Sequence, residues 1–312
     1  VMNGLPAVKT FGTVAVLMGG DSAEREISLK SGTAVLEALQ QRGVDAHGVD
    51  AGADVLLQLQ AGAFDRAFIV LHGRGGEDGV IQGALERIGM PYTGSGVLGS
   101  ALGMDKYRTK ALWRGLDLPT PASVLIEQAA DLEAAAAIGF PLMIKPSREG
   151  SSIGMAKVED MDALRQAWET ARGFDDSVLA ERWIVGREYT ASVLQGQALP
   201  LIRLETPNTF YDYDAKYLAD TTSYHCPCGL PEEQESQLQQ LCLRAFEAVE
   251  ASGWGRVDLM LDDNQRPWLI EVNTVPGMTD HSLVPMSARV AGIEFDELVL
   301  RILATSLQEE RA

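Results

Sequence analysis

Cysteine is scarce. Cys226, Cys228 and Cys242 are the only three in 312 residues. The number is odd and Cys-Pro-Cys is not a zinc-knuckle spacing, so reduced thiols of a cytosolic protein are expected rather than a disulfide or metal framework. Positive charge is also short: 26 Lys and Arg against 44 Asp and Glu leave a net charge of −18. That excludes nucleic acid or an anionic membrane as the main partner. A phosphate ligand would need a locally positive pocket. Long apolar runs are missing, the stretch 67–71 being far too short to span a bilayer, so no membrane insertion is expected. Residues 1–9 have no basic segment followed by an apolar core, and are expected to be a loose leader rather than a secretory signal. The G-x-G-x-x-G and G-x-x-x-x-G-K-[ST] spacings are absent, as is any internal repeat. The first absence argues against a dinucleotide oxidoreductase. What remains is a soluble globular protein, 46% hydrophobic, long enough for two or three α/β units.

The most informative stretch runs from Trp254 to Thr279. Two alternating apolar runs flank the polar Asp-Asp-Asn-Gln-Arg, which predicts a β-hairpin. A tight loop at Asn264-Gln265, with Asp263 opposite Arg266, puts Asp258 opposite Glu271 and Arg256 opposite Asn273. All four then share one face. Val257, Leu259 and Leu261 share the other with Trp268, Ile270 and Val272. Two carboxylates and an amide oxygen on one face suit a hard cation such as Mg²⁺ holding a nucleotide's phosphates. The same pattern also describes a hairpin with one solvated face.

From the start of the chain, residues 13–18 read as a buried strand, Gly19-Gly20 as a turn, and the run to Arg42 as a helix. This is the opening of a doubly wound unit, whose ligands gather beyond the strand's carboxyl end. Glu24 lies there, either facing a ligand or as a first-turn acid favoured by the helix dipole. Strands are expected at 44–49 and 67–71. The second runs into His72-Gly-Arg-Gly-Gly-Glu-Asp-Gly, where glycines admit close backbone approach or simply make a flexible turn. A helix over 80–88 and a last short strand from Met90 close the unit near 101–105. Farther on, a strand over 140–145 ends in Lys145-Pro-Ser-Arg-Glu-Gly-Ser-Ser-Ile-Gly. A lysine at a strand end before small residues is a phosphate-cradling loop in character, or a polar hairpin tip. Strands at 178–184 and from 186 carry Glu181 and Glu188, at the ends of a purine-sized slot or on a solvated face. Residues 206–227 are expected to form a long aromatic-rich loop, the kind that serves as a lid or binding loop or is disordered, with Lys216 and Tyr217 as its candidates. Helices are expected over 231–252, 283–290 and 296–308.

These segments, in this order, resemble the bacterial D-alanine–D-alanine ligases of the ATP-grasp superfamily. The resemblance is carried by Gly19-Gly-Asp-Ser-Ala-Glu-Arg-Glu-Ile-Ser, Leu71-His-Gly-Arg-Gly-Gly-Glu-Asp-Gly, Tyr92-Thr-Gly-Ser-Gly and Met104-Asp-Lys. It continues through Lys145-Pro-Ser-Arg-Glu-Gly-Ser-Ser, Phe210-Tyr-Asp-Tyr-Asp-Ala-Lys-Tyr, Trp254-Gly-Arg-Val-Asp and Glu271-Val-Asn-Thr-Val-Pro-Gly-Met-Thr. It implies a three-domain α/β (α+β ATP-grasp) architecture: an N-terminal Rossmann-like parallel-sheet domain over 1–104, a central small domain over 105–186 and a catalytic domain over 187–312. ATP would be gripped between the last two sheets. The implied reaction joins two D-alanines through a D-alanyl phosphate, for peptidoglycan precursors, in a cytoplasmic homodimer.

By the same resemblance, Asp258, Glu271 and Asn273 would bind two Mg²⁺ ions, with Mn²⁺ as a substitute. Lys106 and Lys145 would contact the α- and β-phosphates, with Ser152 in the same loop and Lys216 at the transferring end. Glu181 would face the adenine amine and Glu188 the ribose, while the backbone of Arg182 and Trp183 would hold the adenine edge. Arg256 would stabilise the oxyanion. Glu24 would hold the first D-alanine's ammonium, with His72 near its carboxylate. Gly277, Ser282 and Leu283 would hold the second D-alanine's carboxylate. Ser151 and Tyr217 would complete a hydrogen-bonded set with Glu24. Tyr217 follows the dipeptide-forming pattern, against the alternative of D-lactate as second substrate. Arg182 stands where many relatives have lysine, with little effect expected of a backbone contact. Retention of Asp258, Glu271, Asn273, Arg256, Lys145 and Lys216 together speaks against a non-catalytic nucleotide-binding regulator.

Overall fold

The computed structural model describes residues 4–150, 153–206, 222–279 and 282–307. The chain begins with a parallel sheet in which β1 (Thr13–Met18) lies between β2 (Asp45–Asp50) and β3 (Arg66–Ile69). The sequence TVAVLM is buried in β1 from Val14 onward, because helices or loops cover both faces of a parallel sheet. Gly19 and Gly20 end the strand with φ of +79° and +77°. A Cβ at Gly19 would lie 2.2 Å from Asp50 Oδ1, so glycine is required there on two counts. Helix Arg25–Gln41 then packs back on β1 and β2. The short strand expected from Met90 is only an isolated parallel bridge between Ala67 and Tyr92.

The second sheet is antiparallel, ordered β4-β7-β5-β6: β4 (Ser123–Ile126), β5 (Leu142–Pro146), β6 (Ala156–Val158) and β7 (Val178–Arg182). The third is built from β8 (Gly186–Leu194), β9 (Gln197–Ala198), β10 (Ile202–Glu205), β11 (Ser223–His225), β12 (Trp254–Asp262) and β13 (Pro267–Asn273). Its order is β11-β10-β8-β12-β13, with β9 paired to β8.

Each sheet has its own apolar core, and some helices join the core of a sheet distant in the chain. Trp113 and Leu118 fall within 105–186 but pack with the third sheet. Trp113 is fully buried and its Nε1–H donates to the Ala245 carbonyl at 2.9 Å. The closing helices Leu283–Val290 and Phe295–Ala304 return to the first sheet, burying Val284, Ala288, Leu298 and Leu303 beside β1 and helix Arg25–Gln41. The beginning and end of the described chain therefore share one core.

The hairpin corrects the sequence reading in one place and reproduces it in another. The expected pairs Asp258–Glu271 and Arg256–Asn273 are present. The loop, however, has three residues, with Asp262 paired to Arg266 and Gln265 in the left-handed region at φ +61°. The register then shifts between Asp258 and Leu259, so that Leu259 faces Leu269. The longer loop and the bulge are offsets of one residue each, and they cancel at Asp258. Between them, faces are exchanged: Leu269 is fully buried with Val257, Leu259 and Leu261, while Trp268 and Ile270 are not in that core.

Candidate active site

A cavity of about 500 Å³ opens between the second and third sheets. The exchange of faces in β13 gives it an apolar wall, since Ile270 and Met260 line it together with Met143. Its polar lining comes from strand residues Lys145, Glu181, Glu188, Asp258 and Glu271, and from Lys106 at the start of a helix. An apolar slot with a few convergent charges is the usual form of a small-molecule site.

The charges are paired among themselves. Lys145 Nζ lies 2.5 Å from Glu181 Oε1, and Lys110 Nζ lies 3.0 Å from Glu181 Oε2. Burial favours a neutral Glu181, but the two ammonium groups more than reverse this and hold its carboxyl below the usual range. Lys106 Nζ stands 3.2 Å from Glu271 Oε2 and donates to the Glu149 carbonyl at 2.7 Å. Burial acts against its charge, and Glu271 outweighs burial. Lys106 is placed by Asp105, whose side chain caps the helix, and by its own N–H to the Ser147 carbonyl. Arg256 forks onto Asp258, with Nε to Oδ1 at 2.8 Å and Nη2 to Oδ2 at 2.9 Å, and Thr190 Oγ1 donates to Oδ1 at 2.6 Å. Each expected metal-binding carboxylate thus already faces a cationic side chain. Asn273 Oδ1 accepts the Val275 N–H at 3.1 Å. Two carboxylates and an amide oxygen on one hairpin face are hard donors, and they fit Mg²⁺ or Mn²⁺.

The second corner of the site is built by close approach. A Cβ at Gly73 or at Gly150 would lie 2.9 Å from Glu24 Oε2, so both backbones come up to one carboxylate. The Gly73 loop is clasped to the central unit, where Arg74 reaches Glu149 at 2.6 Å. Arg148 in turn holds the buried Asp175, whose carboxyl is kept low against the effect of burial. His72 is buried and its Nδ1 lies 2.8 Å from the Val275 carbonyl. A carbonyl only accepts, so the proton sits on Nδ1. Burial pushes the ring's pKa down, leaving it neutral with Nε2 as an acceptor that has no partner among the described residues. Glu77 accepts the Gly73 N–H at 2.6 Å; burial, helped by nearby Glu24, pushes its carboxyl up to about 8. Ser282 precedes helix Leu283–Val290 and accepts the Thr279 N–H at 2.9 Å. A Cβ at Gly277 would lie 3.0 Å from its Oγ.

The structure therefore brings Lys106, Lys145, Glu181, Arg182, Trp183, Glu188, Asp258 and Glu271 onto one cavity. Arg256 and Asn273 lie beside it on the hairpin. Glu24 and His72 lie together in the second corner, and Gly277 lies beside Ser282, which Leu283 follows. Ser151, Ser152, Lys216 and Tyr217 lie outside the described residues. The Arg182 side chain turns away to the Ile138 carbonyl at 3.2 Å. The N–H groups of Arg182 and Trp183 are held by Ala122 and Pro141, so only their carbonyls are left for a purine edge. Sequence reasoning missed Lys110, Glu77 and Thr190. Lys110 could have been found: it lies one helical turn after Lys106, on the same face. All three cysteines are unpaired, and Cys228 fills the core of the third sheet.

Comparison with known proteins agrees with this geometry. Two family models match, "D-ala D-ala ligase N-terminus" over residues 49–95 and "D-ala D-ala ligase C-terminus" over residues 112–304. The D-alanine–D-alanine ligase of Nitrosococcus oceani is 63% identical over 98% of both chains, and that of Methylococcus capsulatus is 62% identical over 95% of this chain and 96% of that one. Among solved structures, the Bacillus anthracis D-alanine–D-alanine ligase complexed with ATP superposes with a TM-score of 0.81 at 33% identity, covering 95% of this chain and 97% of that one. The D-Ala:D-Ser ligase of Enterococcus faecalis gives 0.82 at 28% identity, covering 94% and 99%. With a family model over most of its length and relatives more than 60% identical end to end, the chain belongs to the D-alanine–D-alanine ligase family.

Proposed function

We propose that this protein joins two D-alanines into D-alanyl-D-alanine, with cleavage of ATP to ADP and phosphate. The observation that carries this reading is the meeting of two unlike corners. A charged slot between two sheets sized for a nucleotide opens beside a buried Glu24–His72 pair suited to an amino acid. That a structural relative is found complexed with ATP supports a nucleotide as one ligand.

In this reading Glu181 accepts the adenine amine, Glu188 the ribose, and Lys106 and Lys145 donate to the phosphates. Glu24 holds the ammonium of the first D-alanine. His72, neutral and with only an acceptor to offer, joins Glu24 at that ammonium; a carboxylate would need a donor. This revises the role that family resemblance implies for it. The first D-alanine's carboxylate attacks the γ-phosphorus and ADP departs, giving D-alanyl phosphate. The amine of the second D-alanine attacks the carbonyl carbon, and phosphate departs as the amine loses its proton. Arg256 faces the developing negative charge. Asp258, Glu271 and Asn273 would hold Mg²⁺, which supplies positive charge to screen the triphosphate. Ser282 and the free N–H groups at the start of helix Leu283–Val290 suit the second carboxylate. Exclusion of water matters because an acyl phosphate hydrolyses. The chain works as a cytoplasmic homodimer in this reading, which sedimentation would check, and no described helix is long and apolar enough to cross a membrane.

The test is phosphate release from ATP with D-alanine, L-alanine, D-alanine plus D-lactate, or no amino acid, with products identified by mass. D-alanine-dependent release yielding the dipeptide supports the reading. Release yielding only the D-lactate ester, or no D-alanine dependence, overturns it.

A further inference from the structure

Lys110 takes no part in the chemistry above and does not line the cavity, yet its side chain is entirely buried. Its ammonium meets three oxygens: Glu181 Oε2 at 3.0 Å, Thr120 Oγ1 at 3.1 Å and the Leu269 carbonyl at 3.2 Å. It donates to Thr120 and to the Leu269 carbonyl, and its contact with Glu181 Oε2 is an ion pair without hydrogen-bond alignment. Thr120 Oγ1 itself donates to the Leu269 carbonyl at 2.9 Å, which fixes the cradle. Burial draws the Lys110 pKa down to about 8, above neutral pH, so the charge persists. A buried ammonium filling no ligand space is costly to keep unless its charge serves a partner.

That partner is Glu181, and its two oxygens are not equivalent. Oε1 faces Lys145, which lines the cavity; Oε2 faces Lys110, behind the wall. A phosphate arriving in the slot can draw Lys145 away. It cannot reach Lys110. A Glu181 with Lys145 as its sole counter-ion would be left buried and unpaired at the moment of binding. It would then compete with the phosphate for Lys145. Leu269 also precedes Ile270 and Glu271 in β13, so one ammonium ties the strand of Glu181 to the strand of the metal-binding carboxylate.

We propose that Lys110 is a positioning residue for purine recognition. It holds Glu181 ionised and aimed at the exocyclic amine from behind the cavity wall, and so releases Lys145 to the phosphates. The proposal rests on the reading of Glu181 as the acceptor of the adenine amine.

The test uses the full chain with ATP and with purine riboside 5′-triphosphate, which lacks only the amine. Lys110→Met is compared with the parent and with Glu181→Gln, D-alanine being saturating. The expected result is a KM for ATP raised about tenfold, with the preference for ATP over the amine-free nucleotide lowered to near that of Glu181→Gln. The KM for D-alanine should stay within about twofold. Lys110→Gln keeps a donor for Leu269 without the charge and should behave alike; it carries the comparison if the methionine variant does not fold. A uniform loss with the ATP preference intact, while Glu181→Gln loses it, overturns the proposal and leaves the Glu181 reading standing. Preference intact in all variants overturns both.

Discussion

The two corners of the site are made differently. The nucleotide slot is filled with its own ion pairs: Lys145 with Glu181, Lys106 with Glu271, Arg256 with Asp258. Each described lysine or carboxylate expected to meet a phosphate or a metal holds a place-keeper of opposite sign, and binding there must be an exchange of partners. The amino-acid corner is made by backbone. Gly73 and Gly150 come up against Glu24, and a carbonyl fixes the tautomer of His72. In the charge-paired slot the flanking ammonium groups keep the buried Glu181 ionised, because a lone buried charge would neutralise itself. A glycine-lined corner instead trades side chains for shape.

If the contrast is right, substitutions in the slot should act on turnover and nucleotide, and substitutions in the corner on D-alanine. The largest effect belongs to Glu271→Gln, which removes a carboxylate expected to hold metal. Turnover should fall about 100- to 1,000-fold in steady-state assays while the melting profile shows a folded protein. Near-normal turnover with unchanged metal dependence would break the slot side. Glu24→Gln removes a charged partner of the ammonium, worth roughly 10- to 100-fold in the KM for D-alanine, with the KM for ATP unchanged. A parallel rise in both would dissolve the distinction. Gly150→Ala pushes a Cβ to 2.9 Å from Glu24 Oε2. The KM for D-alanine should rise by about three- to tenfold, read by the same titration.

The smallest effect is one of pH. Glu77 has its carboxyl raised from 4.5 to about 8 by burial and by Glu24. Between those values the folded protein keeps a proton that the unfolded chain has lost, so this group makes stability fall as pH rises through that window. Glu77→Gln should flatten the fall between pH 5 and 8 in thermal melts, leaving the nucleotide KM alone. An unchanged slope would remove Glu77 from the description of the corner.

Much of this was legible in the sequence, for physical reasons that differ by element. The pairing of Asp258 with Glu271 followed from alternation on the hairpin, although it survived only because a three-residue loop and a bulge cancel. Alternation has no means of showing a bulge, and so it sets Ile270 on the face of Val257 and Leu259 and not on the cavity wall, where it lies. The glycine turn after β1 and the helices from Leu283 and Phe295 were readable from local pattern. That those last helices return to the first sheet was not, because nothing local records a contact between Arg42 and Asp296. The sequence reading singles out neither Lys110 nor Glu77. Helical spacing puts Lys110 on the face of Lys106, but the burial of Lys110 and of Glu77 is a property of the assembled sheets. Ser151, Ser152, Lys216 and Tyr217 remain sequence expectations, lying outside the described residues.

The most direct test of the exchange is a crystal structure with a non-hydrolysable ATP analogue and Mg²⁺. The account predicts the nucleotide between the second and third sheets, with Lys145 moved from Glu181 to a phosphate, Arg256 released from Asp258, and Lys110 still on Glu181. A nucleotide bound elsewhere, or bound in the slot with the Lys145–Glu181 and Arg256–Asp258 pairs intact, would contradict it.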